Sequence, residues 1–363
     1  MKNLLLIKIL LFVSMPANSI ELKQLKLPNN FKIDFFAKDV KNARQMALSD
    51  SGVVYVGSRR AGNVYALQDL NKDGKAEVKT VIASGLNLPS GIAWKDGNLY
   101  VAEVDKILVF KDIDSHINNP KVEVFFSELT DEQHHGWKFL RFSPQGDLII
   151  PIGAPCNVCE APSKLHARIF SLNMKTKKMT ELAKGVRNSV GFDFHPSTGE
   201  LWFSDNGRDM MGDDIPNCEI NRITKQGEHF GFPYIHADGI KDPKFGQNAN
   251  ASNFTAPALN LDAHVAPLGI HFYRGDMFPK EYKNQLLIAE HGSWNRTKKA
   301  GYKIGLARMK NSKVLNYENF ISGFMKNETT YGRPVALLEL RDGSLLISDD
   351  YADVIYRVSY STD

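Results

Sequence analysis

A histidine pair, three arginines and an acidic, glycine-containing loop are the residues of this chain best suited to chemistry. The first lies in Gln133-His134-His135-Gly136-Trp137-Lys138, a polar loop that runs into a strand-like stretch. Imidazole titrates near neutrality, so a His at the mouth of a cavity can take a proton as a general base; a solvated surface pair is the plain alternative. The second is Gly185-Val186-Arg187-Asn188-Ser189-Val190-Gly191, which sets an Arg and an Asn between glycines. A guanidinium is a planar fork that suits carboxylates or a developing negative charge. The acidic loop is Ser204-Asp205-Asn206-Gly207-Arg208-Asp209, followed by Gly212-Asp213-Asp214 and Glu219-Ile220-Asn221. Carbonyls and carboxylates in such a loop can hold a hard cation such as calcium, or the loop is an ordinary solvated turn. Arg296 in Ala289-Glu290-His291-Gly292-Ser293-Trp294-Asn295-Arg296 and Arg333 in Tyr331-Gly332-Arg333-Pro334 add two cations. If the fold gathers Arg187, Arg296 and Arg333, they can bind an anion; otherwise each pairs with a nearby carboxylate such as Glu290 or Asp349.

What must gather them is a repeat. A glycine-bearing turn followed by an apolar strand and then a polar loop recurs six times: SGVVYVGSR (51–59), DGNLYVAEVD (96–105), QGDLIIPIG (145–153), TGELWFSDNG (198–207), NQLLIAEHG (284–292) and DGSLLISDD (342–350). Most copies lie about 45 to 60 residues apart, the length of a four-stranded unit that must stack on its neighbours. Leu99 and Val101, Leu148 and Ile150, and Leu201 and Phe203 fall on alternate positions, a strand period. No stretch after the first residues sustains an apolar stripe at helical period. The sequence therefore predicts an all-β chain, a six-bladed β-propeller in one domain over 20–363. The longer interval from His195 to Tyr282 reads as inserted loops on one face, where binding sites of repeat folds collect. All the polar loops above sit at blade-equivalent positions, which in a propeller converge on the central channel.

Residues 1–19, MKNLLLIKILLFVSMPANS, combine Lys2 and Lys8 with an apolar stretch and a small-residue end, the pattern of a secretory signal peptide. The expectation is a periplasmic or secreted protein with no transmembrane anchor after cleavage. In that compartment Cys156, Cys159 and Cys218 read as one disulfide, in the C-x-x-C, and one free thiol. The net charge of +4 is spread without basic runs interleaved with aromatics, which excludes a nucleic-acid partner. A further loop, Asp69-Leu70-Asn71-Lys72-Asp73-Gly74, starts like a calcium loop but has Thr80 in the twelfth place, so a β-turn is its default reading.

Taken together, HHGWKFLRF, GAPCNVCE, GVRNSVGFDFHP, SDNGRDMMGDD, EINRI, AEHGSWNR, GRPV and SDD…IYRV resemble the glucose/sorbosone dehydrogenase family, soluble six-bladed propellers that use pyrroloquinoline quinone (PQQ). The likeness spans nearly the whole chain after residue 19 and is closest to the sorbosone dehydrogenase-like branch. It implies oxidation of an aldose or sugar aldehyde by hydride transfer to PQQ, with a separate electron acceptor, a quinone or a cytochrome. It places His135 as general base, Arg187 beside the reactive carbonyl, Asn188, Arg296 and Arg333 on the cofactor, and the carbonyls of Gly207 and Arg208 on Ca2+. Arg296 stands where the glucose dehydrogenases have a cofactor-binding Lys, and their Gln near the first blades has no counterpart around 86–91. Two other readings fit the same propeller: a calcium-dependent lactonase recruiting Asp205, Asn206 and Asp213, and a non-catalytic module that binds sugars or proteins.

Overall fold

The computed structural model describes residues 20–362, and the segment read as a signal peptide lies outside them. Six four-stranded antiparallel sheets surround a central axis. The first blade is Ala43–Leu48, Val54–Ser58, Val64–Gln68 and Val78–Ala83, each strand paired with the next in sequence. The innermost strands of blades three to six are Arg141–Phe142, Phe192–Phe194, Pro267–Phe272 and Pro334–Glu339. Innermost strands of adjacent blades pack on one another around the axis. Among the described residues there is no α-helix, only short 3-10 turns, and no helix long and apolar enough to cross a membrane.

The six repeated phrases are the second strands of the six blades. Apolar residues alternate along several of these phrases, yet Val54–Ser58, Leu148–Ile152, Leu201–Asp205, Leu286–Glu290 and Leu345–Asp349 are buried throughout. Both faces of a blade are covered by its neighbours, so the core is a ring of layers between sheets. Tyr55 and Ala66 of blade one, for example, meet Ile92, Leu99, Val101 and Phe110 of blade two. True alternation appears only at the rim, as in Val78–Ala83.

Blade six closes the ring with both ends of the described chain: Phe31–Ala37 pairs antiparallel with Val354–Tyr360. Phe31 anchors that strand edge-on against Phe278, Tyr282, Phe320 and Tyr360, with ring centroids 4.8 to 5.1 Å apart. The long fourth interval holds an insertion, residues 224–258, between the third and fourth strands of blade four. Part of it, Glu228–His229, adds a short parallel strand to blade three. Cys156 and Cys159 form a disulfide, and Cys218 is a buried free thiol.

Candidate active site

In each blade the innermost strand starts, and the second strand ends, at the same end of the axis. Loops before the one and after the other therefore meet there. They enclose a cavity of about 380 Å³. His135 and Trp137 enter it before blade three, Arg187 and Asn188 before blade four, and Arg333 before blade six; Gly207 and His291 follow second strands.

His135 is buried, and its Nδ1 lies 2.9 Å from the carbonyl oxygen of Ala154. That contact makes Nδ1 the protonated nitrogen and leaves the Nε2 lone pair for the cavity. Burial and the nearby Arg187, His134 and Arg59 hold the imidazole well below its ordinary pKa, so it is neutral and able to accept a proton. The backbone here is left-handed, at φ 52°. It runs so close to Gly153 that a Cβ there would stand 2.6 Å from His135 Cβ and 2.8 Å from its carbonyl oxygen.

Arg187 is 4% exposed and fully framed. Its Nε donates to the Asn157 carbonyl (2.8 Å), Nη1 to the Asn206 carbonyl (3.1 Å), and Nη2 to Asn157 Oδ1 (2.9 Å) and Asp209 Oδ2 (3.2 Å). A guanidinium has five N–H groups, so one remains for a ligand. Asp205 fixes the backbone beneath, accepting from Arg187 N at 2.8 Å and Asn188 N at 2.7 Å. Burial raises the Asp205 carboxyl to about 6 against these bonds.

The cavity carries more positive charge than its carboxylates balance. Arg44 pairs with Asp350 at 2.8 Å and Arg187 with Asp209. Among the described residues, no carboxylate pairs with Arg59, Arg60 or Arg333. Arg333 donates to the carbonyls of His291 (3.1 Å) and Gly292 (2.6 Å), while Arg59 lies 3.7 Å over the Trp137 ring. Arg59 Nε and Trp137 Nε1 are buried without a hydrogen-bond partner. Burial, then Arg44 and Arg60, push the Arg59 guanidinium down to about 10. Orphaned donors and unbalanced cations fit a polyanionic ligand, which PQQ with its carboxylates is. The carbonyls of Gly207 and Arg208 accept no hydrogen bond from a described residue, so they are free for a cation.

The structure brings His135, Arg187, Asn188, Arg333 and Gly207 to this one cavity. Arg208 and Arg296 do not line it. The Arg208 side chain turns away to pair with Asp242. Arg296 ties two rim loops together, donating to the Asp213 carbonyl at 3.0 Å and to Asp214 Oδ1 at 2.9 Å. Sequence reading passed over Arg44, Arg59, Trp137, His264, His291 and Trp294, all of which line the cavity. The signal for Arg59 and His291 was their place at the end of a repeated phrase, directly after its strand and equivalent to that of Asn206. Trp294 stands at the mouth, 66% exposed. The carboxylates of Asp69, Asp73 and Glu77 gather within 4.8 Å in a loop of blade one, outside this cavity.

A family model described as TrAA12-like matches residues 25–361. The chain belongs to the TrAA12-like family. A curated relative of this TrAA12-like chain, an uncharacterized protein of Borreliella burgdorferi, is 42% identical over 352 residues, covering 93% of this chain and 91% of its own. Among solved structures, the calcium structure of the Trichoderma reesei Carbohydrate-Active Enzymes Family AA12 protein superposes with a TM-score of 0.82 at 18% identity, over 93% of this chain and 97% of that one. The holo form of the pyranose dehydrogenase PQQ domain from Coprinopsis cinerea gives 0.78 at 16%, over 92% and 97%. The six-bladed fold read from the repeats holds, and so does the resemblance to soluble PQQ-dependent sugar dehydrogenases.

Proposed function

We propose that the protein is an exported quinoprotein dehydrogenase that oxidises an aldose or a sugar aldehyde of the sorbosone type. The observation that supports this best is the pairing, in one cavity, of a neutral histidine with an open Nε2 and a cluster of guanidiniums short of counter-charge. PQQ, when bound with Ca2+, supplies the electrophilic carbonyl that accepts hydride. His135 Nε2 takes the proton from the substrate hydroxyl, so that negative charge builds on the hydroxyl oxygen and helps expel hydride from the carbon that bears it. Arg187 offers its one uncommitted N–H to charge developing on the acceptor side, in a site where burial strengthens the bond. Asn188, Arg333 and the unpaired Arg59 would hold the cofactor, and the Gly207 carbonyl at the cavity, with that of Arg208 next to it in the chain, would hold Ca2+. Arg296 serves the rim. A separate quinone or cytochrome would be the electron acceptor.

The lactonase reading has less support, because the groups it needs are committed elsewhere. Asp205 is taken up by the backbone of Arg187 and Asn188, and Asp213 by Thr297 N at 3.0 Å. No three His, Cys, Asp or Glu side chains among the described residues converge in the cavity as a cation site. The test is reconstitution of the purified protein with PQQ and Ca2+, followed by dye-linked oxidation of aldoses and sorbosone. Turnover that needs both additions, and drops about 10²- to 10⁴-fold in His135→Gln while the quinone still binds, is the expected result. A folded protein that binds no quinone overturns the proposal.

A further inference from the structure

The segment 154–166 between the second and third strands of blade three has no strand structure, and among the described residues no backbone-to-backbone hydrogen bond holds residues 155–162. Within it, the Cys156–Cys159 disulfide encloses Asn157 and Val158. Val158 and Cys156 pack on Ala154, Ala167 and Phe232, which seats the small ring against the blade.

Asn157 does not line the cavity, yet it makes four hydrogen bonds to two residues that do. Its carbonyl and Oδ1 accept from Arg187 Nε (2.8 Å) and Nη2 (2.9 Å), a two-point grip on the guanidinium plane. The same Oδ1 accepts from Asp209 N (2.9 Å), and Nδ2 donates to the Asp209 carbonyl (3.1 Å). Asp209 in turn closes on Arg187 through Oδ2. Asn157 therefore fixes the direction of the last free N–H of Arg187 and also the turn that offers the Gly207 and Arg208 carbonyls. A side chain in a segment without sheet bonds can hold such a geometry only if its own backbone is restrained, and the crosslink between the residue before Asn157 and the second residue after it is that restraint.

We propose that Asn157, held by the Cys156–Cys159 crosslink, is the positioning residue for Arg187 and for the 206–209 turn, so that the disulfide sets the geometry of the site as well as steadying a loop. This rests on the dehydrogenase reading for its kinetic consequence, but its structural content does not. The experiment compares Asn157→Ala, Asn157→Asp and the Cys156→Ser/Cys159→Ser pair in the full chain. Readouts are PQQ titration in the presence of Ca2+, kcat and KM for an oxidised sugar, melting temperature, and amide hydrogen exchange at 206–209 in the unloaded protein. Asn157→Ala is expected to weaken quinone binding about tenfold and to lower kcat more than it raises KM. Exchange at Asp209 N–H quickens, and the melting temperature stays within a few degrees. Asn157→Asp keeps the oxygens facing Arg187 and recovers most of kcat; the double Ser variant moves in the same direction as Asn157→Ala. Wild-type exchange at 206–209 in both Asn157→Ala and the double Ser variant overturns the proposal, as does a loss of kcat that only tracks a collapse in melting temperature. Should wild type itself bind no quinone, the dehydrogenase reading falls, while exchange still decides the positioning role.

Discussion

Gly153→Ala tests the site without removing any group that could do chemistry. The added Cβ meets His135 Cβ at 2.6 Å and its carbonyl oxygen at 2.8 Å, where ordinary contact begins near 3.4 Å. His135 must therefore give way by most of an ångström. It cannot rotate freely to do so, because its backbone is left-handed and its Nδ1 is tied to Ala154, the residue next to the substitution. Misplacing a catalytic group by about 1 Å costs roughly 10²-fold in rate, or about 2.7 kcal/mol in the barrier. Overpacking of this kind costs about 1–3 kcal/mol of stability, a lower melting point but a folded protein. In dye-linked assays after reconstitution, kcat should fall about a hundredfold while the quinone binds nearly as before, since Arg59 and Arg333 lie on other blades. Wild-type kcat in a folded Gly153→Ala protein would refute the assignment of His135 as base.

Three further outcomes follow from the same geometry. Arg59→Met removes an unpaired cation and should weaken quinone binding about 10- to 100-fold, the worth of a charge-assisted hydrogen bond, while the melting temperature of the unloaded protein rises. Trp294 is the exposed one of four tryptophans, and at the cavity mouth it offers a flat apolar face to a sugar ring; Trp294→Ala should raise KM about tenfold, equivalent to 1.4 kcal/mol, with kcat kept, and abolish a sugar-dependent change in fluorescence. Burial holds folded His135 well below 6.5 and His291 at about 4, whereas the unfolded chain takes up those protons near 6.5. These two imidazoles thus bind more protons in the unfolded state as pH falls, a loss of stability opposed by the buried carboxyls of Asp205, Glu290 and Asp349, which are raised to about 6; from pH 6.5 toward 4 the melting temperature of His291→Asn should therefore fall less than that of the wild type, and kcat/KM should show no loss at pH 6.5 itself.

The six second strands were legible because each follows a turn and carries a short apolar run, such as Leu148–Ile152 or residues 286–289. What the alternation hid was their burial on both faces, which depends on neighbouring blades and not on local sequence. His135, Arg187, Asn188, Gly207 and Arg333 could be picked out because they sit beside a repeated phrase, so blade equivalence alone sends them to one end of the axis. Arg296 has the same sequence credentials and yet points to the rim, since its loop runs on past the channel to meet Asp213 and Asp214. Arg59 shows the converse: its importance lies in having no counter-charge, and a missing partner is a property of the assembled cavity that no single loop spells out. Asn157 drew notice only for the cysteines around it; its grip on Arg187 spans 30 residues.

The seam in blade six has a consequence for how the molecule is made. Because Phe31–Ala37 completes a sheet begun at Pro334–Glu339, the ring has no independent stopping point partway along the chain. Five blades can stack as they emerge, but the circle stays open, with two bare sheet faces and an unpaired edge, until the strand at 354–360 arrives to receive the one at 31–37. Completion is thus an all-at-the-end event of very long sequence separation, the slowest kind of contact to form. A chain cut before residue 354 is not a slightly shorter propeller. It is an arc, and the cavity that needs both Arg44 and Arg333 has no walls.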